Sequence, residues 1–205
     1  SQDYSVGLAN FFKKEFTAGG GQIVSETKFK SGDRDFSPQL SRIKSLNPDI
    51  IYAPIYYTEL ALIAKQAREM GLKAPIVAGD GAQAPELIEL GGPAVEDIYF
   101  TAHFHEDMVN TERGKKFLAK FKAETGKPLD SFTAMGADAY YVTLDAIRRA
   151  GSVDPTQIRD SLVKTKDFEG VSGKISLKED GNAIKEIVIN KVKDGKFAYV
   201  KTITP

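Results

Sequence analysis

Apolar positions recur along this chain with two different periods, and the periods separate its elements. Val6 to Phe16 spaces Leu8, Phe11, Phe12 and Phe16 near 3.6 residues, which predicts a helix. Gly19-Gly20-Gly21 ends it as a C-cap and turn. Gln22 to Lys30 predicts a strand. Phe36 to Leu46 predicts a second helix, with Phe36, Leu40 and Ile43 on one stripe. Asp49 to Tyr56 is a near-continuous apolar run, the pattern of a parallel strand covered on both faces. Thr58 is the expected cap of a helix through Met70, which Gly71 closes. Ala74 to Ala78 predicts a short strand running into Gly79-Asp80-Gly81. Pro85 to Leu90 predicts a short helix, and Asp97 to Phe104 a further strand. Helix and strand alternate, so the fold class is α/β with a mostly parallel sheet flanked by helices.

The pattern then changes. Glu112 to Thr125, Ser131 to Ala150 and Pro155 to Lys164 predict three helices in succession, the last with Pro155 at its first turn after Asp154. The stripes Phe117, Leu118, Phe121 and Tyr140, Tyr141, Leu144, Ile147 have helical spacing and are core by default. Strands are expected at Val171 to Leu177, Ile184 to Lys193 and Phe197 to Ile203, with turns at Glu179-Asp180-Gly181 and Asp194-Gly195. There are no internal repeats and no linker-like stretch.

Composition narrows the chemistry. Among 205 residues, 28 are basic and 28 acidic, which removes the electrostatic footprint of a general nucleic-acid binder. There is no cysteine, hence no disulfide, thiol catalysis or thiolate metal site. No apolar run approaches the roughly 18 residues of a membrane span, and no signal peptide opens the chain.

Ligands of an open parallel sheet sit beyond the carboxyl ends of its strands. Two such ends carry polar groups: Ile55-Tyr56-Tyr57-Thr58-Glu59 and Val77-Ala78-Gly79-Asp80-Gly81. An acid between two glycines can hold a cationic group without a crowding neighbour, and tyrosines offer flat walls and hydroxyls. The alternative is that Asp80 is a turn residue and the tyrosines are core. His103 and His105 fall on one face of the predicted strand with Glu106 and Asp107 after them, but spacing fixes no third metal ligand. Gly19-Gly20-Gly21 follows a helix, the wrong context for a phosphate loop, and Gly79-x-Gly81 lacks the third glycine of a dinucleotide site. No Gly-x-Ser-x-Gly elbow occurs. No catalytic residue, metal or cofactor is expected.

An ordered set of segments runs the length of the chain: Asp3-Tyr4-Ser5-Val6-Gly7-Leu8-Ala9, Asp33-Arg34-Asp35-Phe36-Ser37, Tyr56-Tyr57-Thr58-Glu59, Ala64-Lys65-Gln66-Ala67-Arg68, Gly79-Asp80-Gly81 and Gly136-Ala137-Asp138-Ala139-Tyr140. Together they resemble the substrate-binding proteins of branched-chain amino acid (leucine/isoleucine/valine-type) ABC transporters, the type I periplasmic binding proteins. The resemblance implies a Rossmann-like lobe, a helical crossover block and a C-terminal hairpin. It also implies a chain lacking most of lobe one, truncated and not circularly permuted. Residues 1–103 with 175–205 would form lobe two, and residues 104–174 would cross back to supply helices to lobe one.

By the same resemblance, lobe one grips the ligand's α-carboxylate and lobe two takes part of its α-ammonium. The matching lobe-two positions are Tyr4, Tyr56 and Asp80, with Tyr57, Glu59 and Phe132 secondary. The branched-chain-specific proteins carry Glu where Asp80 stands, so the shorter side chain implies a ligand range not confined to leucine, isoleucine and valine. The expected function is extracytoplasmic capture of an amino acid or related small zwitterion by two-lobe closure. The protein would be periplasmic or extracellular, with a membrane-tethered lipoprotein form included. Its expected partners are an ABC transporter permease and, through exposed apolar helices, a companion lobe-one chain or a homo-oligomer. The alternatives are a ligand-sensing domain of a receptor or regulator with the same fold, and an α/β enzyme.

Overall fold

The structure is a computed structural model, and it describes residues 2–204. Seven helices are described, α1 (Asp3–Ala18), α2 (Ser37–Leu46), α3 (Tyr57–Glu69), α4 (Pro85–Gly91), α5 (Glu112–Thr125), α6 (Ser131–Ala150) and α7 (Pro155–Leu162). The strands are β1 (Ile51–Ala53), β2 (Ile76–Ala78), β3 (Tyr99–Ala102), β4 (Phe168–Glu169), β5 (Lys174–Leu177), β6 (Ala183–Ile184), β7 (Ile187–Lys193) and β8 (Lys196–Ile203). Two compact units emerge, one of residues 1–101 with 190–198, the other of residues 102–189 with 199–205. Residues 175–189 and 199–205, grouped above with residues 1–103 in lobe two, cluster here with residues 102–174.

In the first unit, β1, β2 and β3 run parallel, with Tyr52 opposite Val77 and Ala78 opposite both Ala53 and Phe100. Helical connections between them enforce this direction, because antiparallel neighbours need only a tight turn. The sheet order is β1-β2-β3-β7-β8, so β1 is terminal. Ile76, Ile98 and Phe100 are fully buried, as are Leu60 and Leu87 from the helices. A second cluster joins Phe36 and Leu40 to Ala67 and Leu72, with Phe29, Ile43 and Ile51 against it. Asp194 and Gly195 both take positive φ, 53° and 65°, the backbone of a two-residue hairpin turn between β7 and β8.

The second unit packs Phe104, Leu129, Ala134 and Val171 into one core, covered by Phe117, Leu118, Phe121 and Tyr141. A small sheet, β4-β5-β6, is antiparallel, with Phe168 opposite Ile175 and Ser176 opposite Ile184. Tyr140, expected in the core, is 63% exposed, and its ring stands edge-on to Tyr141. Its partner in sequence faces inward and leaves it on the outer side of the helix.

Four local expectations are corrected. Residues 22–30 form no strand. Thr58 does not cap α3, whose N-cap is Tyr56, without a side-chain bond. The predicted strand from Ile184 to Lys193 breaks between β6 and β7 at Lys185 and Glu186. His103 and His105 do not share a strand face, since β3 ends at Ala102 and His105 caps a single 3₁₀ turn, its Nδ1 accepting from the Asp107 amide at 3.2 Å. No helix among the described residues is long and apolar enough to cross a membrane.

Candidate functional site

Because β1 and β2 are paired in register, their carboxyl ends lie side by side. Pro54 and Ile55 carry the chain from β1 to Tyr56, which opens α3. β2 ends at Ala78 and passes through Gly79 into a single 3₁₀ turn that begins with Asp80. The third contributor is α1, which places Tyr4 in its first turn.

The Tyr4 hydroxyl donates to Asp80 Oδ1 at 2.7 Å and accepts from the Gly81 amide at 2.9 Å. Its ring stacks on Tyr56, centroids 5.0 Å apart and planes 29° apart. Burial, then the bond to the Asp80 carboxylate, push the phenol well above its ordinary pKa. Tyr4 is therefore a neutral donor at any physiological pH, and it braces one oxygen of the carboxylate.

The two glycines make this geometry fit. A Cβ on Gly79 would lie 2.8 Å from the Tyr4 hydroxyl and 3.0 Å from Leu8 Cδ1. A Cβ on Gly81 would meet the Tyr56 ring at 3.0 Å and the Tyr4 hydroxyl at 3.1 Å. The space that the glycines leave beside Asp80 is thus occupied by tyrosine.

The remaining candidates separate. Tyr57 is the first residue of α3 and is half-buried. Glu59 Oε1 accepts from the Gly32 amide at 3.3 Å, so part of its role is to hold the 31–32 turn. Phe132 belongs to the second unit, at the second position of α6, and is 48% exposed. One residue escaped the sequence reading. Tyr52, on β1, stacks on Phe12 at 4.0 Å, and its phenol is raised by burial and by the Asp80 charge. Its only signal was its place four residues before Tyr56 in an apolar run. Among the described residues no group of three His, Cys, Asp or Glu could hold a metal ion.

This arrangement can hold a cation. It offers a half-buried carboxylate fixed by a neutral phenol, flanked by stacked aromatic faces.

Known proteins agree with this architecture. The sequence model of a family described as "Periplasmic binding protein" matches residues 1–196. The Leu/Ile/Val-binding protein homolog 1 of Brucella suis is 29% identical over 202 residues, 97% of this chain and 54% of that protein. The crystal structure of a leucine binding protein, LivK, from Thermotoga maritima superposes with a TM-score of 0.96 at 50% identity, covering 100% of this chain and 58% of that one. The branched-chain amino acid transporter substrate binding protein LivJ of Streptococcus pneumoniae, solved in complex with isoleucine, superposes at 0.87 with 32% identity, covering 100% and 57%. The chain thus spans a little over half the length of the proteins it matches. Sequence and fold together place it, over almost all its residues, in the periplasmic binding protein family.

Proposed function

We propose that this chain forms the ammonium-binding side of an extracytoplasmic solute-binding protein that captures an amino acid or similar small zwitterion for an ABC transporter. The carrying observation is the braced carboxylate, with Tyr4 donating to Asp80 Oδ1 at 2.7 Å beside the Tyr56 ring. Asp80 accepts from the ligand's α-ammonium, a charge-assisted bond worth about 1.5–3 kcal/mol. Tyr4 keeps the carboxylate from turning away, and the Tyr4–Tyr56 stack walls the pocket. Tyr57, Glu59 and Phe132 are subsidiary contacts.

The opposing α-carboxylate is gripped by a first lobe, and closure of the two lobes traps the ligand and presents a surface to a permease. In this reading residues 1–103 with 175–205 act as lobe two, and residues 104–174 supply helices to lobe one. The protein works in the periplasm or outside the cell, and it binds without catalysing a reaction. The relatives named for leucine and for branched-chain amino acids support this ligand class.

Titration calorimetry of the full-length protein with L-leucine, L-valine and a short aliphatic carboxylate tests it. We expect the amino acids to bind and Asp80→Ala to weaken them about 10- to 100-fold. Equal binding of the amine-free carboxylate, or an indifferent Asp80→Ala, overturns the assignment.

A further inference from the structure

The sequence holds three Asp-Gly bonds, Asp80–Gly81, Asp180–Gly181 and Asp194–Gly195. Among aspartyl bonds this is the one most open to cyclisation, because glycine has no Cβ to keep its nitrogen from the preceding side chain. The glycine nitrogen attacks the aspartyl Cγ. A C–N bond forms, the Cγ–OH bond breaks, and the hydroxyl leaves as water with the amide proton. Water then adds to either carbonyl of the five-membered imide. Opening at Cγ restores aspartate. Opening at the main-chain carbonyl leaves isoaspartate, with the chain running through Cβ and Cγ. Water is the one co-reactant.

At Asp80 the fold favours this hazardous pair. A Cβ on Gly81 would lie 3.0 Å from the Tyr56 ring and 3.3 Å from Ile55 O, so the position suits glycine. Both reacting groups, however, end on one atom. The Tyr4 hydroxyl donates to Asp80 Oδ1 at 2.7 Å and accepts from the Gly81 amide at 2.9 Å. Ring closure requires that hydroxyl to release the carboxyl and the amide together. The main chain is held as well, since the Ala82 amide donates to Gly79 O and the Gln83 amide to Asp80 O, both at 3.1 Å. Gly81 itself is buried. The other two bonds are built differently. Asp180 is exposed, its Oδ1 accepting from the Asn182 amide at 2.9 Å while the Gly181 amide donates to Lys178 O at 3.0 Å. Separate partners thus hold its two groups. Asp194 is exposed too, and the Gly195 amide donates to Glu96 Oε2 at 3.5 Å.

We propose that Asp80–Gly81 is a latent modification site for succinimide formation, kept closed by the Tyr4 hydroxyl, which holds both reacting groups at once. Tyr4 thereby protects the bond as well as orienting the carboxylate. Isoaspartate at position 80 adds one methylene to the main chain and leaves the free carboxylate on Cα, away from the Tyr4 hydroxyl. In the reading above this carboxylate takes the ligand's ammonium, so one isomerisation removes one binding site. The chemistry itself stands on the two hydrogen bonds and does not depend on that reading.

Incubation of the full-length protein in water enriched in oxygen-18, followed by peptide mass spectrometry, tests it without any ligand. Each imide that opens takes up one heavy oxygen whichever product forms, and fragmentation of the peptide separates isoaspartate from aspartate. Wild type, Tyr4→Phe and a synthetic peptide of residues 77–84 are compared. Phenylalanine keeps the ring and its stack on Tyr56 and removes both hydrogen bonds. We expect Asp80 of the wild type to label about 10- to 100-fold more slowly than the free peptide, and Tyr4→Phe to recover most of that factor, the order that two hydrogen bonds supply. Labelling at Asp180 and Asp194 stays the same in both proteins. Three outcomes overturn the proposal. Wild-type Asp80 labels as fast as the free peptide, or Tyr4→Phe leaves the Asp80 rate unchanged. The third is acceleration of Asp194, in the same unit, by the same factor, which assigns the protection to the fold as a whole.

Discussion

Two carboxylates in this molecule sit beside glycines, and they have opposite characters. Asp138, on α6, is 2% exposed and saturated. It accepts from the Val171 amide, from the Ser172 amide at 3.0 Å and from the Ser172 hydroxyl. Lys185 closes the cluster, donating to Ser172 Oγ and to His103 O at 2.9 Å. Asp80 stands at the end of β2, half-buried, with Tyr4 on one oxygen. The glycines differ likewise. A Cβ on Gly170 would fall on the Asp138 carboxylate itself, whereas one on Gly79 would press on a movable tyrosine tip. An acid flanked by glycine is therefore not by itself a binding site. What separates the two is burial: Asp138 is sealed inside its unit, whereas Asp80 stands half-buried at a strand end.

Substitutions can break that contrast. The largest effect is expected at Asp138→Ala, which strips the acceptor from two amides and leaves Lys185 without its counter-charge. Urea unfolding should show a loss of about 3–5 kcal/mol. A loss below about 1 kcal/mol would mean the cluster is not sealed. Gly170→Ala comes next, at roughly 2–4 kcal/mol, because neither the carboxylate nor α6 can retreat. Gly79→Ala should cost about 1 kcal/mol in the same assay while displacing Tyr4 from Asp80.

Lys185 gives a pH-dependent version of the comparison. Burial lowers its ammonium to about 8, against the opposing pull of Asp138 and Glu186. The unfolded chain binds this proton more tightly than the folded one, so stability rises with pH from about 8 toward the ordinary lysine value of 10.5. Below that window the penalty is present in full. The wild-type minus Lys185→Met difference in unfolding free energy should shift by an amount on the order of 1 kcal/mol between pH 7 and pH 10. A flat difference would remove Lys185 from the buried cluster. Tyr4→Phe is expected to cost about 0.5–1.5 kcal/mol in unfolding, from two hydrogen bonds lost at a half-buried site, the one to Asp80 and the one from the Gly81 amide.

Much of this was legible in the sequence where the signals are local. The bounds of α5 and α6 were readable because Thr111 and Asp130 accept from Gly114 and Thr133 amides at their starts, and Gly126 and Gly151 turn left-handed at their ends. Asp80 and Tyr56 were readable as strand ends. What depended on neighbours was not. Gln22 to Lys30 has strand alternation, but a strand exists only against another, and none among the described residues pairs with it. Tyr4 was placed by resemblance; its grip on Asp80 spans 76 positions and has no local trace. The Lys185–Ser172–Asp138 cluster was invisible for the same reason, since its members come from α6 and two separate loops.

The chain's boundaries between its compact units fall at 101/102, 189/190 and 198/199, inside β3, β7 and β8. This has a consequence for synthesis. A ribosome delivers Thr101 long before Asn190–Ala198, the stretch that completes the first unit. At about 5–20 residues per second the nascent unit waits roughly 5–20 s with the edge of β3 unpaired. Completion of the first unit thus lags behind synthesis of its first three strands. A chaperone that shields that edge, or translation that speeds through the intervening codons, should raise the yield of soluble protein more than any stabilising change within β1 or β2.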